Sequence, residues 1–127
     1  MSNQVTLLLL LSLTLLSCGK KEGVTYGKPV TLRDAVSIDH LYTRPAPENF
    51  AIEGKIVQID TARGAWFILE DAEGKIEVSL TEFVIPPDAK GKRALVQGAK
   101  LAKAYRRSAS GQEHETFVVY ASGMEIY

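Results

Sequence analysis

One cysteine, two histidines and one tryptophan in 127 residues leave little material for the commonest site chemistries. A lone Cys18 cannot close an internal disulfide. His40 and His114 lie far apart in sequence with no ligand-like spacing, so a surface or capping role is expected of both rather than zinc binding. Gly23 and Gly27 precede no strand–helix unit that would cradle a phosphate. Ser108, Ser110 and His114 share a polar stretch without a glycine-flanked nucleophile. Glu70, Asp71 and Glu73 cluster without the ligand order of a calcium loop. Charge of one sign is also missing. Fifteen basic and fifteen acidic side chains cancel, which argues against general nucleic-acid binding, because that depends on phosphate neutralisation. The expectation is a chain with no catalytic residue, no metal and no cofactor.

What is present is alternation. Ala51–Leu80 reads as three short strands and two turns, a β-meander. In Lys75–Leu80, Ile76, Val78 and Leu80 share one face while Lys75, Glu77 and Ser79 share the other. Trp66–Glu70 is apolar on both faces near its start, so cover on both sides is expected. The first strand changes phase: Ile52, Gly54 and Ile56 alternate, then Val57 and Ile59 continue on the opposite face. A bulge between Ile56 and Val57 would do this, and would bend the strand to serve two sheets of a small closed barrel. Asp71-Ala72-Glu73-Gly74 is a hairpin turn in which Gly74 is expected to supply positive φ.

Around the meander, Val24–Gly27 is a short leading strand. Ser37 caps a short helix over Ile38–Thr43, with Thr31-Leu32-Arg33-Asp34 as an alternative capping box. Pro45 and Pro47 end any helix there, and Pro86-Pro87 stops a possible turn at Phe83–Ile85. Lys92–Leu101 and Glu115–Tyr127 are the fourth and fifth strands. Ala102–His114 between them is expected to be a long polar loop, and Gly123 to mark a bulge.

Five strands, one short helix and a long loop between strands four and five resemble an OB-type Greek-key barrel, an all-β fold. A second resemblance covers nearly all of this region. It runs from Tyr26-Gly27 through Ile52-Glu53-Gly54-Lys55-Ile56, Gly64-Ala65-Trp66 and Pro87-Asp88-Ala89-Lys90-Gly91-Lys92 to Ala121-Ser122-Gly123. In order and spacing these residues are similar to DUF4920, a family of bacterial secreted and lipoprotein domains of uncharacterised function. That family resembles OB-fold proteins and implies no established activity. Many of its members carry two cysteines just before the tryptophan, where this chain has Asp60 and Ala65, so no thiol chemistry transfers.

Val5–Leu16 is an apolar run broken only by Thr6, Ser12 and Thr14. It has about half of the ~20 residues that a spanning helix needs and suits the apolar region of a signal peptide. It ends in Leu15-Leu16-Ser17-Cys18, which resembles a bacterial lipoprotein lipobox. The resemblance implies cleavage before Cys18 and acylation of its thiol and amine, and two acyl chains give stable anchoring. Gly19, where an Asp would favour inner-membrane retention, implies an outer-membrane address facing the periplasm. Met1-Ser2-Asn3-Gln4 carries no Lys or Arg, a departure from the usual signal pattern. The expected organisation is a signal peptide over residues 1–17, a lipidated Cys18 with a flexible tether over 18–24, and one barrel domain over 25–127.

Two features are candidates for ligand contact. Arg63 and Trp66 flank the turn between the first two meander strands, where OB folds often bind ligands, although a lone Trp at a strand start is more often core. Tyr105, Arg106 and Arg107, with Lys103, form a basic patch that Arg63 and Lys75 would extend into a groove. A solvated hairpin tip is the plainer reading, since Glu113 and Glu115 follow closely. The expected function is a lipid-anchored envelope lipoprotein acting as a non-catalytic binding or accessory module, monomeric, with an envelope protein or anionic glycan as partner. Two alternatives are a structural or assembly partner of an envelope complex, signalled by an apolar patch near Phe83–Ile85, and a metal-binding or enzymatic protein with a cryptic site.

Overall fold

The computed structural model describes residues 23–45, 47–107 and 109–127, with the side chains at 102, 104, 106, 114 and 115 excepted. The expected signal peptide and lipidated Cys18 fall outside the described residues. Six strands follow in order: β1 (Val24–Gly27), β2 (Phe50–Ile59), β3 (Trp66–Glu70), β4 (Lys75–Leu80), β5 (Arg93–Arg107) and β6 (Glu113–Ile126). Among the described residues one helix, α1 (Ile38–Thr43), precedes β2, and a single 3-10 turn spans Pro87–Ala89.

The strands β6, β4, β3, β2 and β5 lie side by side, and a β5–β6 pairing closes the ring. All neighbours are antiparallel except β4 and β6, which run parallel with Val78 opposite Val119. This is the five-stranded OB-like barrel read from the sequence, and β1 adds to β6 outside the ring. β2 makes closure possible. Its first half pairs with β5 and its second half with β3, and the register slips between Ile56 and Gln58, so Val57 is the bulged residue. Gly54 lies where β2 passes from one partner to the other, and a Cβ there would stand 2.2 Å from the Glu70 carbonyl oxygen.

Alternation fills the barrel. Phe67, Leu69, Ile76, Val78, Ile52, Ile56, Val96 and Val119 all point inward and are buried. α1 plugs one end with Ile38 and Leu41, three residues apart on one face. The cover expected over β3 is found instead over β2 and β5. The outer side chains of β3 (Trp66, Ile68 and Glu70) are only half-buried, whereas Ala51 and Leu95 are buried under Val30. Val30 belongs to a strap running from Lys28 to Val36 across the outside of the barrel. The strap is tied down by Gln97, whose Oε1 accepts from the Thr31 N–H (2.8 Å), the Leu32 N–H (3.1 Å) and the Thr31 hydroxyl (3.2 Å). Arg33 reinforces it with a two-pronged ion pair to Glu125 at 2.6 and 2.8 Å.

Four local expectations change. Gly74 does not take positive φ; the positive-φ glycines are 27, 64, 91 and 111. The turn is held by Asp71, whose Oδ1 accepts from the Glu73 and Gly74 N–H groups at 2.8 and 2.9 Å. Pro86 and Pro87 start a 3-10 turn rather than stopping one, because Pro fits a first helical position that needs no N–H donor. The Ala102–His114 loop is mostly ladder: β5 runs on to Arg107 and β6 begins at Glu113. The register irregularities fall at Ser122 and Ala99, beside Gly123 rather than on it. Gly123 is glycine for another reason: a Cβ would lie 1.8 Å from the Lys28 carbonyl oxygen, where the strap begins.

Candidate functional site

Helix α1 is short because both ends are fixed. The Ser37 hydroxyl accepts from the His40 N–H at 3.2 Å, as an N-cap does, and Pro45 forces Arg44 into an extended conformation. A second acceptor comes from the sheet. Asp71 Oδ2 takes the Ile38 N–H at 2.8 Å, so one carboxylate fixes both the β3–β4 turn and the first residue of the helix. With Ile38 and Leu41 committed to the core, Tyr42 faces sideways. Its hydroxyl donates to the Lys75 carbonyl at 3.0 Å, and its ring meets Phe117 edge-on, with centroids 5.0 Å apart and planes at 72°.

Phe117 stands on an arm. β5 loses β2 past Gly98, β6 parts from β4 beyond Val118, and the two continue as a two-stranded ribbon from Lys103 opposite Phe117 to Arg107 opposite Glu113. By period two, Leu101, Lys103, Tyr105 and Arg107 share a ribbon face with Phe117 and Glu113, the face that continues the barrel interior. Lys103 Nζ lies 5.9 Å from the Phe117 ring centroid, within cation–π range. Between this face and the end of α1 is an open cleft of ≈ 440 Å³, walled by Leu41, Tyr42 and Arg44 on one side and Leu101, Lys103 and Phe117 on the other. Among the described residues its lining includes two cations and no carboxylate.

The groove expected from sequence is split between two places. Lys75, Tyr105 and Arg107 lie on the arm side. Lys75 pairs with Glu70 at 3.3 Å, Arg107 with Glu113 at 3.2 Å, and Tyr105 is 70% exposed. The Arg106 side chain lies outside the described residues, although its backbone pairs with His114 in the ribbon. Arg63 and Trp66 sit at the opposite end of β3, whose Trp66 pairs with Ser79 while Glu70 pairs with Lys75. Trp66 is half-buried on the outer face, and its neighbour Phe67 takes the core position instead.

Arg63 lies in a turn built by Asp60. The Asp60 carboxylate accepts from the N–H groups of Ala62 (3.0 Å), Arg63 (3.3 Å) and Ala65 (3.1 Å). Those bonds, the one from Ala65 foremost, hold its carboxyl below the usual carboxylate range. A hollow of ≈ 310 Å³ beside this turn is floored by Ile59 and Ile85. The nearby Phe83–Ile85 segment exposes only Val84 (59%), with Ile85 at 3%.

Sequence reading missed Tyr42, Arg44 and Phe117. Helical spacing alone signals that Tyr42 leaves the Ile38–Leu41 face, but nothing local links it to a strand far down the chain. Among the described residues there is no group of three His, Cys, Asp or Glu arranged to hold a metal, and no helix is long and apolar enough to cross a membrane. No protein-family model matches the chain, and no curated protein matches it significantly. The likeness to DUF4920 therefore rests on the residues quoted above.

Proposed function

We propose that this chain is a lipid-anchored cell-envelope protein whose OB-like barrel is a non-catalytic binding module, with the α1–arm cleft as its binding site. The cleft carries the reading: among the described residues, an apolar floor with an aromatic pair, cations at the rim and no carboxylate. Such a lining suits a ligand that brings an apolar group and negative charge together. The anchor half of the reading is supported by Leu15-Leu16-Ser17-Cys18 and by the short tether that follows. The stretch from Cys18 to Val24 reaches about 20 Å when fully extended, which keeps the barrel close to the surface its anchor enters. An outer-membrane, periplasm-facing address belongs to the same proposal.

The test of binding is native mass spectrometry of the exported, purified protein against its denatured mass, for wild type and Phe117→Ala. A retained adduct lost in the variant supports the cleft. An adduct unaffected by Phe117→Ala, or no adduct together with no binding in a screen of anionic amphiphiles, overturns it. For the anchor, Cys18→Ala is expected to move the protein from the membrane fraction to the soluble fraction. A variant that still fractionates with membrane refutes lipidation as the tether.

A further inference from the structure

The arm has a bare edge. From Arg93 to Gly98, β5 is paired on both sides, with β2 and with β6. From Lys100 to Arg107 it is paired with β6 alone. Every second residue there turns its N–H and C=O away from β6, toward the side β2 would occupy if it ran further. Among the described residues no turn or loop backbone bonds to this stretch. The chain's own upstream segment is a poor candidate to fill it, because Pro45 and Pro47 have no N–H to give a ladder.

The edge also has a sign. Lys100 and Lys103 lie along it, with Arg107 paired to Glu113 at its end, and Arg44 faces it across the cleft. Lys100 and Arg44 have no carboxylate partner among the described residues. A second copy of the chain would bring the same basic edge, so the charges that discourage self-pairing favour an acidic visitor.

We propose that the bare edge of β5 from Lys100 to Arg107 accepts an extended acidic segment of a partner protein as an added strand, with an apolar side chain of that segment seated between Tyr42 and Phe117. The added strand takes backbone hydrogen bonds from β5; because Lys100 lies on the face away from the cleft and Lys103 and Arg44 line it, the segment brings carboxylates on both faces, with the apolar side chain between them on the cleft side. The inference rests on the binding-module reading, for which it names the partner class.

The experiment is fluorescence anisotropy with the full-length exported protein in detergent. The probe is a labelled ten-residue peptide of Glu with one central Phe, so that carboxylates lie on both faces of the added strand. Three comparisons accompany it: the same peptide N-methylated at alternate residues, the peptide with Lys for Glu, and the protein variant Lys100→Glu/Lys103→Glu. Saturable binding is expected, with at least a tenfold loss in each comparison. The two changed peptides leave the protein untouched, so a misfolded variant cannot decide the outcome. If both N-methyl patterns, offset by one residue, bind as well as the parent, charge alone is at work and strand addition is overturned. Dodecyl phosphate and phosphatidylglycerol vesicles are measured in parallel. If dodecyl phosphate binds and the peptide does not, the peptide proposal falls and the binding module stands. If vesicles bind while the peptide does not, the basic edge reads a lipid surface and the proposal falls. Concentration-dependent dimerisation that blocks the peptide gives the edge to a second copy and also overturns it. If none of the probes binds, both readings fall.

Discussion

Replacing Asp71 with Ala should cost far more than an acidic residue in a surface turn suggests. The carboxylate accepts three backbone N–H bonds: Ile38 at 2.8 Å, Glu73 at 2.8 Å and Gly74 at 2.9 Å. The Glu73 bond is exposed, so water replaces it at little loss. The Ile38 and Gly74 bonds are partly buried, and a hydrogen bond to a charged group is worth about 1.5–3 kcal/mol net. Discounting for partial exposure, the loss is about 2–4 kcal/mol, or a Tm roughly 10–25 °C lower for a domain near a hundred residues. Asp71→Asn keeps one accepting oxygen and presents an amide donor to the other N–H partner, so its Tm should fall about half as far. Glu73→Ala, next door and exposed, is the control and should stay within about 0.5 kcal/mol. Scanning calorimetry and urea titration provide the measurement, and the NOE between the Tyr42 and Phe117 rings should weaken in Asp71→Ala as α1 loosens. A melting point for Asp71→Ala within about 2 °C of wild type would show that the carboxylate does not clamp helix to turn, and the reasoning would fail.

Other perturbations follow from the same contacts. Asp60 is held below the usual carboxylate range by backbone N–H groups, Ala65 first, and Glu125 by Arg33. Both therefore take up protons less readily folded than unfolded, and the stability they contribute is present above the ordinary carboxylate range and lost as pH falls through their lowered values. Asp60→Asn with Glu125→Gln should flatten the acid limb of Tm against pH, and an unchanged limb would contradict the assignment. Tyr127 is pushed up to about 12 by burial and then by its bond to Glu53. Its contribution is intact below the ordinary tyrosine value and lost as pH rises toward 12, so Tyr127→Phe should soften the alkaline limb. Gly54→Ala should abolish the cooperative unfolding transition, because its Cβ meets backbone, the Glu70 carbonyl oxygen at 2.2 Å, which cannot swing aside. Phe67→Ala, at 0% exposure, should cost about 3–5 kcal/mol by urea titration, whereas Trp66→Ala on the outer face should cost clearly less.

The barrel was legible wherever one face of a strand is wet and the other dry. Lys75–Leu80 shows that contrast directly, and the phase change at Ile56–Val57 places the bulge that lets β2 serve two neighbours. Ser37 announced its helix because capping is a local bond. The arm was not legible for the opposite reason. Past Gly98 β5 has no β2 beside it, and Ala102–Arg107, read from sequence as loop, shows no apolar alternation to mark it as strand. Gly74 misled because an Asp carboxylate can organise a hairpin without any positive φ. The candidate site was hardest to read. Tyr42 and Phe117 meet only because β4 and β6 run parallel, and Arg63 was grouped with the arm although it lies at the other end of β3.

The pairings of β6 set the order of events in time as well as in space. This strand bonds to β1, β4 and β5, yet it is made after all of them. Until it emerges, β4 and β5 each lack a neighbour and β1 has none, so the early chain has little to fold onto. A chain of this plan stays open during synthesis and closes in one late step, a slow, non-local event. For the exported protein proposed above, that delay would be useful, because the polypeptide would remain threadable until β6 arrives.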